Sequence, residues 1–169
     1  ISWSSSLVPK LSRGIKTTFD KFAVKKSAYR PFVKLNLYFG DNFIHRRGQF
    51  DEIFAKSENL VIGVTGIGSS KEYTSLMAND IINLDYVEKT QSLPLYYYEK
   101  PTITQAGLFD SSDDCIRKDG ISDFIFKQAR DQYKDSQIEK EDIFYYVYGV
   151  LHSPEFRSEF ANDLKKMLP

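Results

Sequence analysis

Apolar and polar positions alternate in some parts of this chain and run together in others, and the two habits predict different elements. Leu60-Val61-Ile62-Gly63-Val64 is unbroken and apolar, the pattern of a buried strand. The chain then turns through Thr65-Gly66-Ile67-Gly68-Ser69-Ser70-Lys71 and re-enters as Tyr73-Thr74-Ser75-Leu76-Met77. A third run rich in β-formers, Leu93-Pro94-Leu95-Tyr96-Tyr97-Tyr98, follows downstream. Together they predict two or three strands with a glycine loop between them, the centre of a sheet. Upstream, Leu35, Leu37 and Phe39 alternate with Asn36 and Tyr38, as in a strand with one buried face. Gly40-Asp41-Asn42 is turn chemistry, and Phe43-Ile44 would open a partner strand. Tyr29-Arg30-Pro31-Phe32 reads as extended, because the residue before proline avoids the helical region.

Helical spacing takes over toward the C-terminus. Ile121, Phe124, Ile125, Ala129 and Tyr133 recur at helical intervals after Gly120 and predict an amphipathic helix packed on the sheet. Ile143, Phe144, Val147, Tyr148 and Leu151 define one face of a second helix, with Glu141 and Asp142 near its positive end. Ser153-Pro154-Glu155 is a helix restart, with Ser as N-cap, Pro in the first turn and an acid beside it. Phe156, Phe160, Leu164 and Met167 would line the inner face of the last helix. At the other end, Ser6 could cap a short helix carrying Leu7, Val8 and Leu11, with Pro9 in its first turn and Gly14 ending it. Lys100–Lys118, with Pro101, Gly107 and the Asp110–Asp114 run, reads as connecting loop. The pattern as a whole predicts an α/β fold: a mixed, largely antiparallel β-sheet with flanking helices and a C-terminal helical pair. Residues 1–135 would be centred on the sheet and residues 136–169 on the helical pair, within a single domain.

Composition narrows the class. A chain of 169 residues has room for one domain with a real core, and 41% apolar and 15% aromatic residues mark it as folded. Cys115 stands alone, so it forms no internal disulfide, and a reducing cytoplasm is the simple expectation. No apolar run approaches the roughly 20 residues of a membrane helix. Ile1-Ser2-Trp3 has neither the basic nor the apolar part of a signal peptide, and the absence of an initial Met suggests a piece of something longer. Net charge is zero, but it is unevenly spread. Residues 1–50 hold ten Lys/Arg against only Asp20 and Asp41, whereas the rest of the chain is acidic. Such a split can present one basic face, or it can simply solvate the first third.

Catalytic motifs are missing. Gly63 and Gly68 stand at P-loop spacing, but Ser69-Ser70-Lys71 replaces the Lys-Ser/Thr that a phosphate-binding loop requires, and the third glycine of a dinucleotide fingerprint is absent at Lys71. The loop could still let a backbone approach a phosphate, or serve as an ordinary strand connection. Asp113 and Asp114 lack the ligand pattern of an EF-hand. Glu139 and Glu141 read as surface carboxylates, and His152, with only His45 elsewhere, reads as structural without a nearby partner. One cysteine and two scattered histidines supply no nucleophile–base pair and no metal set. His45-Arg46-Arg47-Gly48-Gln49 is a basic loop of a different kind. Arginine and glutamine make two-point contacts with base edges, and arginine also binds phosphate; a solvated hairpin end is the alternative.

Tyr29-Arg30-Pro31-Phe32, Val61–Lys71, Leu93–Tyr98 and above all Ile143-Phe144-Tyr145-Tyr146-Val147-Tyr148-Gly149-Val150-Leu151-His152-Ser153-Pro154-Glu155-Phe156 resemble the C-terminal specificity domain of Type ISP restriction–modification enzymes. The resemblance covers nearly the whole chain, from about Trp3 to Pro169. Those enzymes are single polypeptides with a nuclease, a helicase-like ATPase, an N6-adenine methyltransferase and a final target-recognition domain. It implies recognition of double-stranded DNA here, with chemistry elsewhere: no cofactor in this segment, and S-adenosylmethionine, ATP and Mg used upstream. The Asn/Asp-Pro-Pro-Tyr/Phe motif that holds a flipped adenine is indeed absent from this chain. The upstream methyltransferase would be the partner within the polypeptide, and no membrane would be involved. The expected DNA-contacting residues are Arg46, Arg47 and Gln49 from one loop and Ser69, Ser70 and Lys71 from another. Lys89, Thr90 and Gln91 form a third loop, and Lys16, Lys25 and Lys26 are the expected phosphate contacts. Tyr29–Phe32 is expected to be structural, with Arg30 tying the strand entry to the helices. The alternative reading is a structural domain whose C-terminal helices dock on the methyltransferase with little direct DNA contact.

Overall fold

The computed structural model describes residues 7–40, 43–44, 48–55, 58–100 and 115–166. Its central element is β3 (Val61–Val64), paired antiparallel with β4 (Ser75–Ala78) on one side and β6 (Gln91–Pro94) on the other. Ile62 and Val64 enter one hydrophobic cluster with Tyr73, Leu95, Phe144, Leu151 and Leu164. Val61 enters a second with Ala28, Ile53, Ile82, Tyr86 and Val87. Successive side chains of a strand point to opposite faces, so a strand covered on both sides must be apolar throughout. This is why residues 60–64 run together instead of alternating.

The Val61 side is covered by a second small sheet. A single 3-10 turn, Lys21–Ala23, capped by Asp20 at 2.9 Å from the Phe22 N–H, leads into β1 (Val24–Arg30). β1 pairs antiparallel with β2 (Val33–Tyr38) and, at Ser27 and Ala28 alone, parallel with β5 (Ile81–Ile82). The extended reading of residues 29–30 holds, but the chain reverses immediately after them. Arg30 pairs with Val33 across a two-residue turn in which Phe32 has φ +64. Proline presets the first turn position, whereas a bulky L-residue in the left-handed region costs about 1–2 kcal/mol. The partner of β2 is thus the strand before it, and Phe43-Ile44 forms a turn and coil rather than a strand. Nor does β2 bury the face that its alternation predicts. It is an edge strand, and Leu35 is 49% exposed; burial begins only near Leu37 and is complete at Phe39. α1 (Leu7–Ser12) forms as the short helix predicted, with Pro9 inside it and no buried residue.

Among the described residues the strands are divided among three small sheets, mostly antiparallel, rather than gathered into one. The run Leu93–Tyr98 explains part of this. It breaks at Leu95 into β6 and β7 (Tyr96–Glu99), because Leu95 turns inward and donates its N–H to the Leu60 carbonyl at 2.8 Å. β7 pairs with β8 (Ile116–Asp119), a strand that starts inside the stretch expected to be loop and ends one residue past it. Ile-Arg-Lys-Asp carries a single apolar residue and lies in an exposed ribbon, so no pattern announced it. α2 (Phe50–Ile53) is a single turn of helix under β7.

Three helices follow. α3 (Asp123–Tyr133) starts at an Ser122 cap as a helix of the expected extent. Ile121, just ahead of it, packs against the core cluster that Ile62 and Val64 of β3 enter, as expected, but the rest of the stripe does not follow: Phe124 is 73% exposed and α3 buries no residue. Ile125, Ala129 and Tyr133 instead border a groove of about 630 Å³ shared with Ile143, Tyr146 and Val147 of α4 (Lys140–His152). α4 sends Phe144 and Leu151 into the core beside β3, with Tyr148 partly buried against it. α5 (Pro154–Glu159) restarts as predicted, with the Ser153 hydroxyl accepting from the Phe156 N–H at 3.3 Å. Phe156, Phe160 and Leu164 reach the core, although the helix itself ends at Glu159; Met167 lies outside the described residues.

Candidate nucleic-acid interface

Two of the three predicted loops meet. In the ladder of the central sheet Val64 stands opposite both Ser75 and Gln91, so the connections 65–74 and 83–90 leave from the same end. Glu88 joins them. Its carboxylate accepts from the Ser69 hydroxyl, from the Ser70 hydroxyl at 2.9 Å and from the Lys71 N–H at 3.0 Å. The Ser69 and Ser70 donors hold its carboxyl down to about 2. Lys89 completes the clamp by donating to the Gly68 carbonyl. Backbone approach is close enough to demand glycine: a Cβ on Gly66 would stand 1.9 Å from the Lys89 carbonyl oxygen. Glu88 and Lys89 themselves adopt positive φ, at +80 and +48.

This clamp divides the candidates by role. Ser69, Ser70 and Lys89 hold the loops to each other, and the Thr90 hydroxyl accepts from the Val87 N–H at 3.0 Å. Lys71 and Gln91 carry exposed side chains at the same end of the sheet. Sequence reasoning missed Glu88, whose place beside Lys89-Thr90-Gln91 carries no motif.

The third loop lies elsewhere. Arg46 and Arg47 fall outside the described residues, as do His45, Asp113 and Asp114. Gln49 precedes α2 and lines a cleft with Asp51, Pro94, Tyr97 and Glu99, at the opposite end of β6 from Gln91. Lys25 and Lys26 lie on the other side of α2, in a cleft with Phe50, Asp51 and Asp80. They are neighbours on β1 and so point to opposite faces; Lys26 donates to the Asn36 amide oxygen at 2.8 Å. Lys16 is exposed in the coil before the 3-10 turn. Among the described candidates, Ser69, Ser70, Lys71, Lys89 and Gln91 gather at the Glu88 clamp, while Gln49, Lys25 and Lys26 lie around α2 and β1.

Two further side chains have partners that differ from expectation. Arg30 stacks on Tyr29 and donates to the Asp85 carbonyl, so it ties the hairpin to the β5–β6 connection and not to the helices. The His152 Nε2 lies 3.2 Å from the Ser75 hydroxyl, and its ring packs edge-on against Tyr148. It pins the end of α4 to β4, which makes it structural but not unpartnered. Glu141 accepts from the Tyr96 hydroxyl, which that carboxylate pushes up to about 12.

Among the described residues, no group of three or more His, Cys, Asp or Glu could hold a metal, and no helix is long and apolar enough to cross a membrane. The sequence profile of the Type ISP C-terminal specificity domain matches residues 1–169, and the chain belongs to that family. Solved structures agree. The chain is similar to part of the DrdV–DNA complex, with 32% identity and a TM-score of 0.82 over 98% of this chain and 15% of that one. It is also similar to the ATP-dependent Type ISP restriction–modification enzyme LlaBIII bound to DNA, at 25% identity and TM-score 0.79 over 100% of this chain and 11% of that one. A nuclease-deletion mutant of the Type ISP enzyme LlaGI, in complex with a DNA substrate mimic, gives 30% identity and TM-score 0.75, again over 100% and 11%. The chain thus spans only a small share of each solved polypeptide. No curated protein matches it.

Proposed function

We propose that this chain selects the DNA sequence on which a larger restriction–modification polypeptide acts. The observation that carries the reading is the match of a specificity-domain profile to residues 1–169. The similarity to three proteins solved with DNA or a DNA mimic supports it. In this reading the adenine methyltransferase, ATPase and nuclease lie upstream and use S-adenosylmethionine, ATP and Mg, in the cytoplasm. Phosphate contacts from Lys16, Lys25 and Lys26 set register, while Arg46, Arg47, Gln49, Lys71 and Gln91 supply side chains suited to base edges. Ser69, Ser70 and Lys89 fix the loop that presents Lys71.

The test is detection of N6-methyladenine by sequencing in cells carrying the full-length gene. One asymmetric methylated motif, lost or relaxed when Arg46, Arg47 and Gln49 become alanine, supports both the function and that loop's part in it. No methylation from an expressed, folded parent with intact methyltransferase motifs would refute the reading. The apolar groove between α3 and α4 favours a second, compatible role: docking of the helical end on the rest of the polypeptide.

A further inference from the structure

Building on the DNA-recognition reading, we propose that the tip of the β1–β2 hairpin is the element inserted into the DNA major groove, with Phe32 against a base edge and Lys25 and Lys26 on the flanking phosphates. The hairpin is an unusual piece of this surface. β5 supports β1 only at Ser27 and Ala28, which face Leu35 and Lys34 of β2, so residues 29–33 continue as a two-stranded tip beyond the sheet. A two-stranded ribbon is one of the two protein elements that a major groove admits. At its end Phe32 is 95% exposed, with Tyr29, Val33 and Leu35 exposed behind it. Phe32 also occupies a left-handed backbone position, φ +64, where glycine would sit without strain. An aromatic ring held in that conformation and packed on nothing has no account within the fold.

Charge is arranged to match. No acidic residue occurs between Asp20 and Asp41, while Lys21, Lys25, Lys26, Arg30 and Lys34 fall in that interval. The two cations nearest the tip are already engaged: Arg30 with the Asp85 carbonyl, Lys34 with Asp80 at 2.7 Å and Asn79 at 2.9 Å. These contacts steady the ribbon and leave its tip apolar, suited to a thymine methyl rather than to phosphate. Lys26 lies four residues before Arg30, about 13 Å back along the strand at about 3.3 Å per residue. A major groove is about 8.5 Å deep, so a tip that reaches the bases sets Lys25 and Lys26 at the height of the backbone. Asn36, opposite Lys26, stands at the same level.

The experiment uses the full-length polypeptide and a pool of random-sequence duplexes, from which bound duplexes are sequenced. Phe32→Gly places at φ +64 the residue best suited to it, so the thermal midpoint should hold or rise. The expected result is a selected sequence relaxed at one or two adjacent positions, with affinity for the wild-type site down about tenfold. Lys25→Ala with Lys26→Ala should weaken all duplexes alike and flatten the salt dependence. Phe32→Gly that selects the same sequence with the same affinity overturns the proposal. So does a variant whose defect is a loosened domain, seen as new protease cleavage ahead of residue 1, since that marks the tip as a protein-docking element. Failure of the wild type to select any sequence would instead overturn the functional reading beneath it.

Discussion

The Asn59 side chain binds Tyr96 as a backbone strand would. Its Nδ2 donates to the Tyr96 carbonyl at 2.7 Å while its Oδ1 accepts from the Tyr96 N–H at 3.1 Å. The same amide donates to the Ile53 carbonyl at 2.7 Å and accepts from the Leu60 N–H at 2.8 Å. One buried side chain thus joins the end of α2, the start of β3 and the start of β7, at the point where Leu95 breaks the ladder.

Asn59→Ala would leave two N–H groups and two carbonyls without their partner in a buried site. Unsatisfied buried groups cost about 1–3 kcal/mol each when water cannot reach them, and partial relaxation should leave a net loss of about 3 kcal/mol. Asn59→Asp should be nearly as damaging, because a carboxylate cannot donate to the Ile53 and Tyr96 carbonyls. Urea denaturation would measure both. An Asp variant as stable as the wild type would mean that the Nδ2 bonds contribute nothing.

Glu88 makes the Ser69–Lys71 loop sensitive to acid. Its folded pKa, about 2, lies below the ordinary carboxylate value of 4.5 because Ser69 and Ser70 donate to it. The stabilisation is therefore complete above about pH 4.5 and is lost as pH falls toward 2. Tyr96 acts at the other limit. Its pKa is raised from 10.0 to about 12 by the Glu141 carboxylate, so its contribution is complete below about pH 10 and disappears as pH rises through 12. Glu88→Gln should flatten the acid limb of the stability–pH curve and leave the alkaline limb unchanged. Tyr96→Phe should flatten the alkaline limb alone. Amide hydrogen exchange should rise in residues 65–74 of the Glu88→Gln protein.

Glycine substitutions separate close approach from mere helix dilution. Gly66→Ala sets a Cβ 1.9 Å from the Lys89 carbonyl oxygen, a clash that backbone alone can relieve. The expected loss is about 3 kcal/mol, at the upper end of overpacking costs. Gly149 lies within α4, with nothing within 4 Å of an added Cβ. Gly149→Ala should stabilise by about 0.5–1 kcal/mol through helix propensity. Paired thermal melts check both signs at once.

What the sequence made legible follows from what periodicity encodes. β3, α4 and the Ser153-Pro154 restart were readable because burial, helical spacing and capping each leave a local mark. The family resemblance rests on aromatic and apolar blocks, of which Leu95, Tyr98, Phe144 and Leu151 serve the core while Tyr29, Phe32, Tyr145 and Tyr146 are exposed. The Glu88 clamp was not, since its donors and acceptor are separated by seventeen to nineteen residues and none belongs to a motif. β8 escaped because an exposed ribbon needs no apolar face. The α3 stripe misled in the opposite direction: Ile125, Ala129 and Tyr133 do share a face, but that face borders a groove with α4 rather than the sheet. Periodicity reports that a face is apolar and is silent on what covers it.

The two groups of lysines should respond differently to removal. Lys25 is exposed, and Lys26 donates to a neutral amide, so both ammonium groups can replace counterions on a phosphate backbone. Each such contact contributes about 0.9 to the slope of log affinity against log salt concentration. Lys25→Ala with Lys26→Ala should then lower that slope by about 1.8 and weaken specific and random duplexes alike. Lys89→Ala should behave otherwise, because its ammonium is bonded to the Gly68 carbonyl. Its loss should loosen the loop that carries Lys71, lower discrimination between sequences and barely change the salt slope. Binding titrations at four salt concentrations, on one specific and one random duplex, distinguish the two. An equal fall in slope for both variants would place Lys89 on the phosphates and dissolve the division between clamp and contact.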